Sequence, residues 1–144
     1  MGNLSWAEEA LGRLRASENE VSITISEDRL CRSQSPVEWA KVRDHMKRNC
    51  VELNKKAGFK ILNFDVTVID KARVRLLNRR GKVVSTLTVD LDLDARRLRY
   101  GCGHEKGEFI LDPNVANSSV HILDEEGNVI TTKEAAGRLL NLLF

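Results

Sequence analysis

The stretch Val83-Val84-Ser85-Thr86-Leu87-Thr88-Val89-Asp90-Leu91-Asp92-Leu93-Asp94 decides the fold. Val83, Ser85, Leu87, Val89, Leu91 and Leu93 alternate in it with Val84, Thr86, Thr88, Asp90, Asp92 and Asp94. A period of two sends successive side chains to opposite faces, so this is a strand with one face toward a core and the other toward water. Strands wetted on one face belong to antiparallel sheets. The segments around it are joined by hairpin-length turns, whereas parallel pairing needs crossovers of a dozen or more residues.

Working outward, Leu62, Phe64, Val66 and Val68 line one face of an earlier strand, and Val74 and Leu76 mark the next. Asn78-Arg79-Arg80-Gly81 is the turn into the deciding strand. A turn near Asp94-Ala95-Arg96 returns the chain through Leu98 and Tyr100, which brings Arg97 or Arg99 across from the aspartates. Shorter strands follow at about 108–111, 120–123 and 129–130, the last after an Asp124-Glu125-Glu126-Gly127-Asn128 turn. Thr131 with Glu134 makes a capping box for a closing helix whose Ala135, Ala136, Leu139, Leu140 and Leu143 face inward.

The N-terminal third reads as helix, strand, helix. Ser5 and Glu8 form a first capping box, and Ala7, Ala10, Leu11 and Leu14 give its helix an apolar stripe. Val21-Ser22-Ile23-Thr24-Ile25-Ser26 alternates, which predicts a strand with Val21, Ile23 and Ile25 inward. Glu27 to Gln34 reads as a polar loop. Ser35-Pro36-Val37-Glu38 has the composition of a helix start, with Trp39, Val42, Met46, Cys50 and Leu53 following at helical spacing and Gly58 as the stop. The expected fold is α+β: a curved antiparallel meander of about six to seven strands with a long central helix and N- and C-terminal helices packed on it. One domain covering residues 1–144 is expected at this length.

Charge narrows the function classes. The chain carries 23 Lys and Arg against 21 Asp and Glu, with 5% aromatic residues, which excludes a strongly basic nucleic-acid coat and leaves few stacking platforms for bases. The balance is uneven, because residues 30–82 hold fourteen basic and five acidic side chains while both flanks are net acidic. Lys41, Arg43, Lys47 and Arg48 of the long helix, with Arg73, Arg75, Arg79 and Arg80 of the hairpin, are the candidate surface for an acidic protein or an anionic ligand. Nucleic acid fits them less well, since no aromatic residues interleave with the basic ones.

The richest chemical cluster is Tyr100-Gly101-Cys102-Gly103-His104-Glu105-Lys106-Gly107. Cys102 and His104 have the types needed for a nucleophile–base pair or two metal ligands, but a closed metal site needs two more, and a glycine-rich turn explains the run more simply. The glycines miss the dinucleotide spacing by one residue and no helix follows to receive a phosphate. Asp90, Asp92 and Asp94 open like a calcium loop, yet Ala95 and Gly101 stand where that loop needs glycine and glutamate. No phosphate loop or serine elbow is present. The sequence therefore favours a non-enzymatic binding module without metal or cofactor, engaging an anionic or acidic partner through its basic central region or a ligand in a cradle between sheet and helices, against a small enzyme or metal-binding protein centred on Cys102 and His104.

Cys31, Cys50 and Cys102 form an odd set with wide spacing, as expected of reduced thiols. Met1 to Ala10 shows no signal-peptide pattern and no stretch reaches the ~20 apolar residues of a membrane span, so a cytoplasmic location is expected. Leu139-Leu140-Asn141-Leu142-Leu143-Phe144 is more apolar than one helix face requires. It is expected either to be swallowed by the sheet or to form a homodimer through the C-terminal helix.

Overall fold

The computed structural model describes residues 5–144. A helix α1 (Trp6–Ala57) is followed by seven strands: β1 (Leu62–Val68), β2 (Lys71–Leu77), β3 (Val83–Asp92), β4 (Arg97–Cys102), β5 (Glu105–Asn114), β6 (Ser119–Leu123) and β7 (Val129–Ile130). The chain closes with α2 (Thr132–Asn141). The strands form one curled sheet in the order β1-β2-β3-β4-β5-β6-β7, every neighbour antiparallel. Short turns connect them, apart from a single 3-10 turn at Val115–Asn117 between β5 and β6.

Alternation makes the two faces of the sheet chemically different. Leu62, Val74, Leu87, Val89, Leu98, Phe109, Leu111, Val120 and Ile122 are buried on the inner face. α1 crosses that face and fills the curl with Cys31, Ser35, Trp39, Val42, Met46 and Cys50, spaced by three and four so that they lie on one side of the helix. α2 adds Ala135, Ala136, Leu139 and Leu140 from the other end of the chain. Asn54 ties the helix to the sheet: its Oδ1 accepts from the amides of Ile61 and Leu62, and its Nδ2 donates to the Leu62 carbonyl, each at 2.9 Å.

The outer face carries charge in register. Lys71 lies opposite Asp90, Asp90 opposite Arg99, and Arg99 opposite Glu108, so one row across four strands alternates in sign. Diagonal ion pairs lace it, Arg99 to Asp92 at 3.2 Å and Arg97 to Glu108 at 3.4 Å. The sequence's pairing of the β4 arginines with the aspartate strand is therefore present in the fold.

The N-terminal third departs from its sequence reading. Residues 21–26 are helix rather than strand, residues 27–34 are helix rather than loop, and Ser35-Pro36 lies inside α1 rather than at a start. A strand needs a partner and a buried face, and Val21, Ile23 and Ile25 have neither: they are 57%, 56% and 46% exposed. Helix continuity is supported instead by the Ser5 cap, which accepts from the Glu8 amide at 3.2 Å, and by the Arg32–Asp28 pair one turn apart. Pro36 removes one intrahelical donor, but packing of the following stripe against the sheet outweighs that local preference. The N-terminal helix consequently does not pack on the sheet; its residues stand clear of it. The C-terminal helix does pack on the sheet, with Leu139, Leu140 and Leu143 buried, while Phe144 after it is 70% exposed.

One glycine is set by close approach. Gly107 lies opposite Tyr100 in the β4–β5 ladder, and a methyl group there would overlap the Tyr100 hydroxyl, its ring and the Glu125 carboxylate. Gly107→Ala is expected to cost about 1–3 kcal/mol by overpacking. A shift of the urea midpoint at constant slope checks it, and most of the loss should vanish in a Tyr100→Leu background.

Candidate functional site

The inside of the curl is not open to a ligand, because α1 occupies it: Trp39 is 1% exposed and Val42 and Met46 are fully buried. The open space lies at one end of the cradle, where the β1–β2 turn and the end of β3 face α1. A groove of about 800 Å³ is lined there by Pro36, Val37, Trp39 and Ala40 of α1, Val68 and Ile69 of the first hairpin, and Leu91 and Leu93. Its lining is mainly apolar. Lys41, Arg43, Asp44 and Asp70 complete it with two positive and two negative groups.

Two hydrogen bonds build this groove. The β1–β2 turn is only Ile69-Asp70, and the Ile69 carbonyl accepts from Trp39 Nε1 at 3.1 Å and from Arg43 Nη1 at 2.9 Å. The Arg43 guanidinium also lies over the Trp39 ring, 5.7 Å from its centroid, and its buried Nε has no hydrogen-bond partner. Pinning the turn by its carbonyl leaves the Ile69 side chain outward and 79% exposed. Val37 and Val68 are exposed beside it. Turns ordinarily carry Gly, Asn or Asp, so a branched apolar residue held at a turn tip exposes apolar surface that folding alone does not require.

The basic residues singled out from sequence are brought to several places. Lys41 and Arg43 border the groove, Lys41 pairing with Glu38 at 3.1 Å. Lys47 and Arg48 are exposed further along α1. Arg73 and Arg75 lie on the outer face of β2, opposite Asp65 and Asn63. Arg79 and Arg80 are in the β2–β3 turn, with Arg79 over the Phe59 ring at 5.5 Å, just past the end of α1. Of the groove's lining, Lys41 and Arg43 were among the sequence candidates, Trp39 was read only as part of the helix stripe, and Val37, Ile69 and Leu93 were not candidates. The signal was there in Val68-Ile69, an apolar pair running on where a hairpin turn is due.

Cys102 and His104 are held apart by their surroundings. The Cys102 thiol faces the core between Ser85 Oγ at 3.3 Å and the Leu142 carbonyl at 3.4 Å, while His104 is exposed in the turn. Among the described residues no hydrogen bond joins them, and no cluster of three or more His, Cys, Asp or Glu side chains is placed to hold a metal ion. All three cysteines are buried, and burial pushes the Cys50 thiol up to about 11. A charged thiol reagent is expected to modify none of them in the folded protein and all three after unfolding, read by mass spectrometry.

A second pocket, about 450 Å³, opens beside α2 between Tyr100, Phe109, Arg138 and the Asp124–Asn128 turn. Its groups serve the turn. Asp124 Oδ1 accepts from the Asn128 amide at 2.8 Å and the Glu126 amide at 3.0 Å, and Oδ2 from Arg138 at 2.9 Å, which together hold its carboxyl below the usual range. The Tyr100 hydroxyl donates to Glu125, and burial followed by that carboxylate pushes the phenol well above the ordinary tyrosine range. The protonated phenol is thus the form the fold favours. Its contribution to stability is complete below about pH 10 and lost as pH climbs toward the raised value. Tyr100 is the single tyrosine, so tyrosinate absorbance reads it alone. Ionisation is expected above the ordinary midpoint, and Glu125→Gln is expected to lower that midpoint.

Among the described residues no helix is long and apolar enough to cross a membrane. No protein-family model, curated protein or solved structure matches the chain.

Proposed function

We propose that the chain is a non-catalytic binding module that holds an apolar segment of a partner protein in the groove between α1 and the β1–β2 turn. The observation that carries this reading is Ile69, fixed outward by two hydrogen bonds to its own carbonyl and flanked by Val37, Val68 and Leu93. Such a patch matches the core of a protein interface, where apolar residues are buried centrally and charges lie at the rim. Lys41 and Arg43 at the rim suit a partner segment that carries an acidic residue beside its apolar anchors. Because Asp44 and Asp70 balance them, charge sets the register of the segment and apolar burial supplies most of the affinity.

A library of random displayed peptides selected against the full chain tests the proposal. Selected peptides are expected to share a cluster of apolar residues flanked by an acidic one. Ile69→Asp, at an exposed turn tip, is expected to leave the melting temperature nearly unchanged and to weaken those peptides at least about tenfold. Affinity unchanged by Ile69→Asp would overturn the groove as the site. Binding of DNA or RNA that falls steeply with salt and is lost on Lys47→Gln with Arg48→Gln would favour the electrostatic reading. Hydrolysis of a model ester that vanishes on Cys102→Ala would favour the enzymatic one.

A further inference from the structure

Among the described residues, nothing packs against the first half of α1. Its first buried residue is Cys31, and from Trp6 to Ile25 every residue except Ala10 is exposed. That arm is about 30 Å long. Helices in proteins owe most of their stability to packing of one face, which this arm lacks within the chain, and the β-branched run Val21, Ile23, Thr24, Ile25 lowers its intrinsic preference further. The arm nonetheless carries a seam. Ala7, Leu11, Leu14, Glu18, Val21 and Ile25 are spaced four, three, four, three, four, the a/d pattern of a coiled coil, with Leu11, Leu14, Val21 and Ile25 exposed.

We propose that residues 7–25 of α1 pair with the same segment of a second copy of this chain in an antiparallel two-helix coiled coil. Three features select this occupant and direction. Charges along the arm come in blocks: Glu8 and Glu9, then Arg13 and Arg15, then Glu18 and Glu20, with Glu8 and Glu9 level with the uncharged Ile23 and Thr24 in the antiparallel register. Antiparallel pairing centred near residue 16 sets the basic block of each copy level with the second acidic block of the other, whereas parallel pairing sets like against like. In the seam, the antiparallel register places Leu11 against Val21, Ala7 against Ile25, and Glu18 against Leu14, while a parallel one would bury Glu18 against Glu18. The length also matches. Trp6 of one copy comes level with Ser26 of the other, and the next residue, Glu27, is where the sheet reaches the helix through Arg96 at 3.7 Å. The overlap therefore ends where each folded body begins, and the two bodies sit at opposite ends without collision. The contact is isologous and closes as a dimer.

Sedimentation velocity of the full chain over a wide concentration range tests this. A reversible monomer–dimer equilibrium is expected, with helical ellipticity rising as dimer forms. Val21→Glu, at an exposed position, is expected to weaken the dimer about a hundredfold while leaving the urea unfolding of the sheet unchanged. Arg13→Glu with Arg15→Glu should weaken it, and adding Glu18→Lys with Glu20→Lys should restore it. For direction, an oxidised mixture of Ala7→Cys and Ile25→Cys proteins is expected to give the mixed cross-link, and Ala7→Cys alone none. A monomer with undiminished helix content at every concentration, a dimer indifferent to Val21→Glu, or self-cross-linking of Ala7→Cys would each overturn the proposal.

Discussion

An antiparallel meander of seven strands presents one continuous apolar face, and here a single helix segment keeps water off it. Residues 31–50 of α1 lie in the curl of the sheet, and Trp39 sits near the middle of that segment, buried and anchored by its indole nitrogen to the first hairpin. The sheet curls around the helix, the inward strand positions are apolar because the helix is there, and α2 closes the remaining gap. Full burial of one large apolar side chain contributes roughly 1.5–3 kcal/mol. Trp39, Met46, Leu87, Leu98, Leu111 and Leu139, all essentially inaccessible, account for a substantial share of what opposes the entropy of ordering the chain. The groove follows from the same arrangement, because the β1–β2 turn and the end of β3 flank the middle of that helix segment, Pro36 to Asp44, without covering it.

How far the sequence disclosed this depended on whether a residue's fate was local. The alternation from Val83 to Asp92, the Asn78–Gly81 turn and the Thr131–Glu134 box are determined within a few residues, and each was legible. So was the stripe from Trp39 to Cys50. The segment Val21–Ser26 was misread because its alternating β-branched residues satisfy the local criterion for a strand, while the deciding fact is that no strand edge or buried face receives them. Ser35-Pro36 misled in a related way. Serine before proline has the composition of a cap, but Ser35 is fully buried with its hydroxyl 3.1 Å from the Cys31 thiol, one turn back in the same helix.

The candidate site was half legible for the same reason. Trp39 was readable as core and Arg43 as a basic surface residue, yet neither reading contained the Ile69 carbonyl, which both side chains approach from thirty and twenty-six residues away. Cys102 and His104 illustrate the converse. Two residues of reactive type stand close in sequence, but strand geometry buries the thiol and a turn exposes the imidazole. The block of basic residues was real as composition and dispersed as surface: Lys41 and Arg43 border the groove, Arg73 and Arg75 share the outer face of β2, and Arg79 and Arg80 stand in the β2–β3 turn.

The order of the strands has a consequence for synthesis. Each strand pairs only with its neighbour in the chain, so the meander can grow one hairpin at a time as it leaves the ribosome. The helix that fills its centre precedes the sheet in the chain, and it rests against β1, β5, β6 and α2. Trp39, Val42 and Met46 therefore emerge before the strands and wait for a cover that is completed only with α2. During that interval the nascent chain displays an amphipathic helix with its apolar stripe bare, the form of surface that holding chaperones recognise. Emergence of α2, rather than any earlier local folding step, is then what permits the core to close.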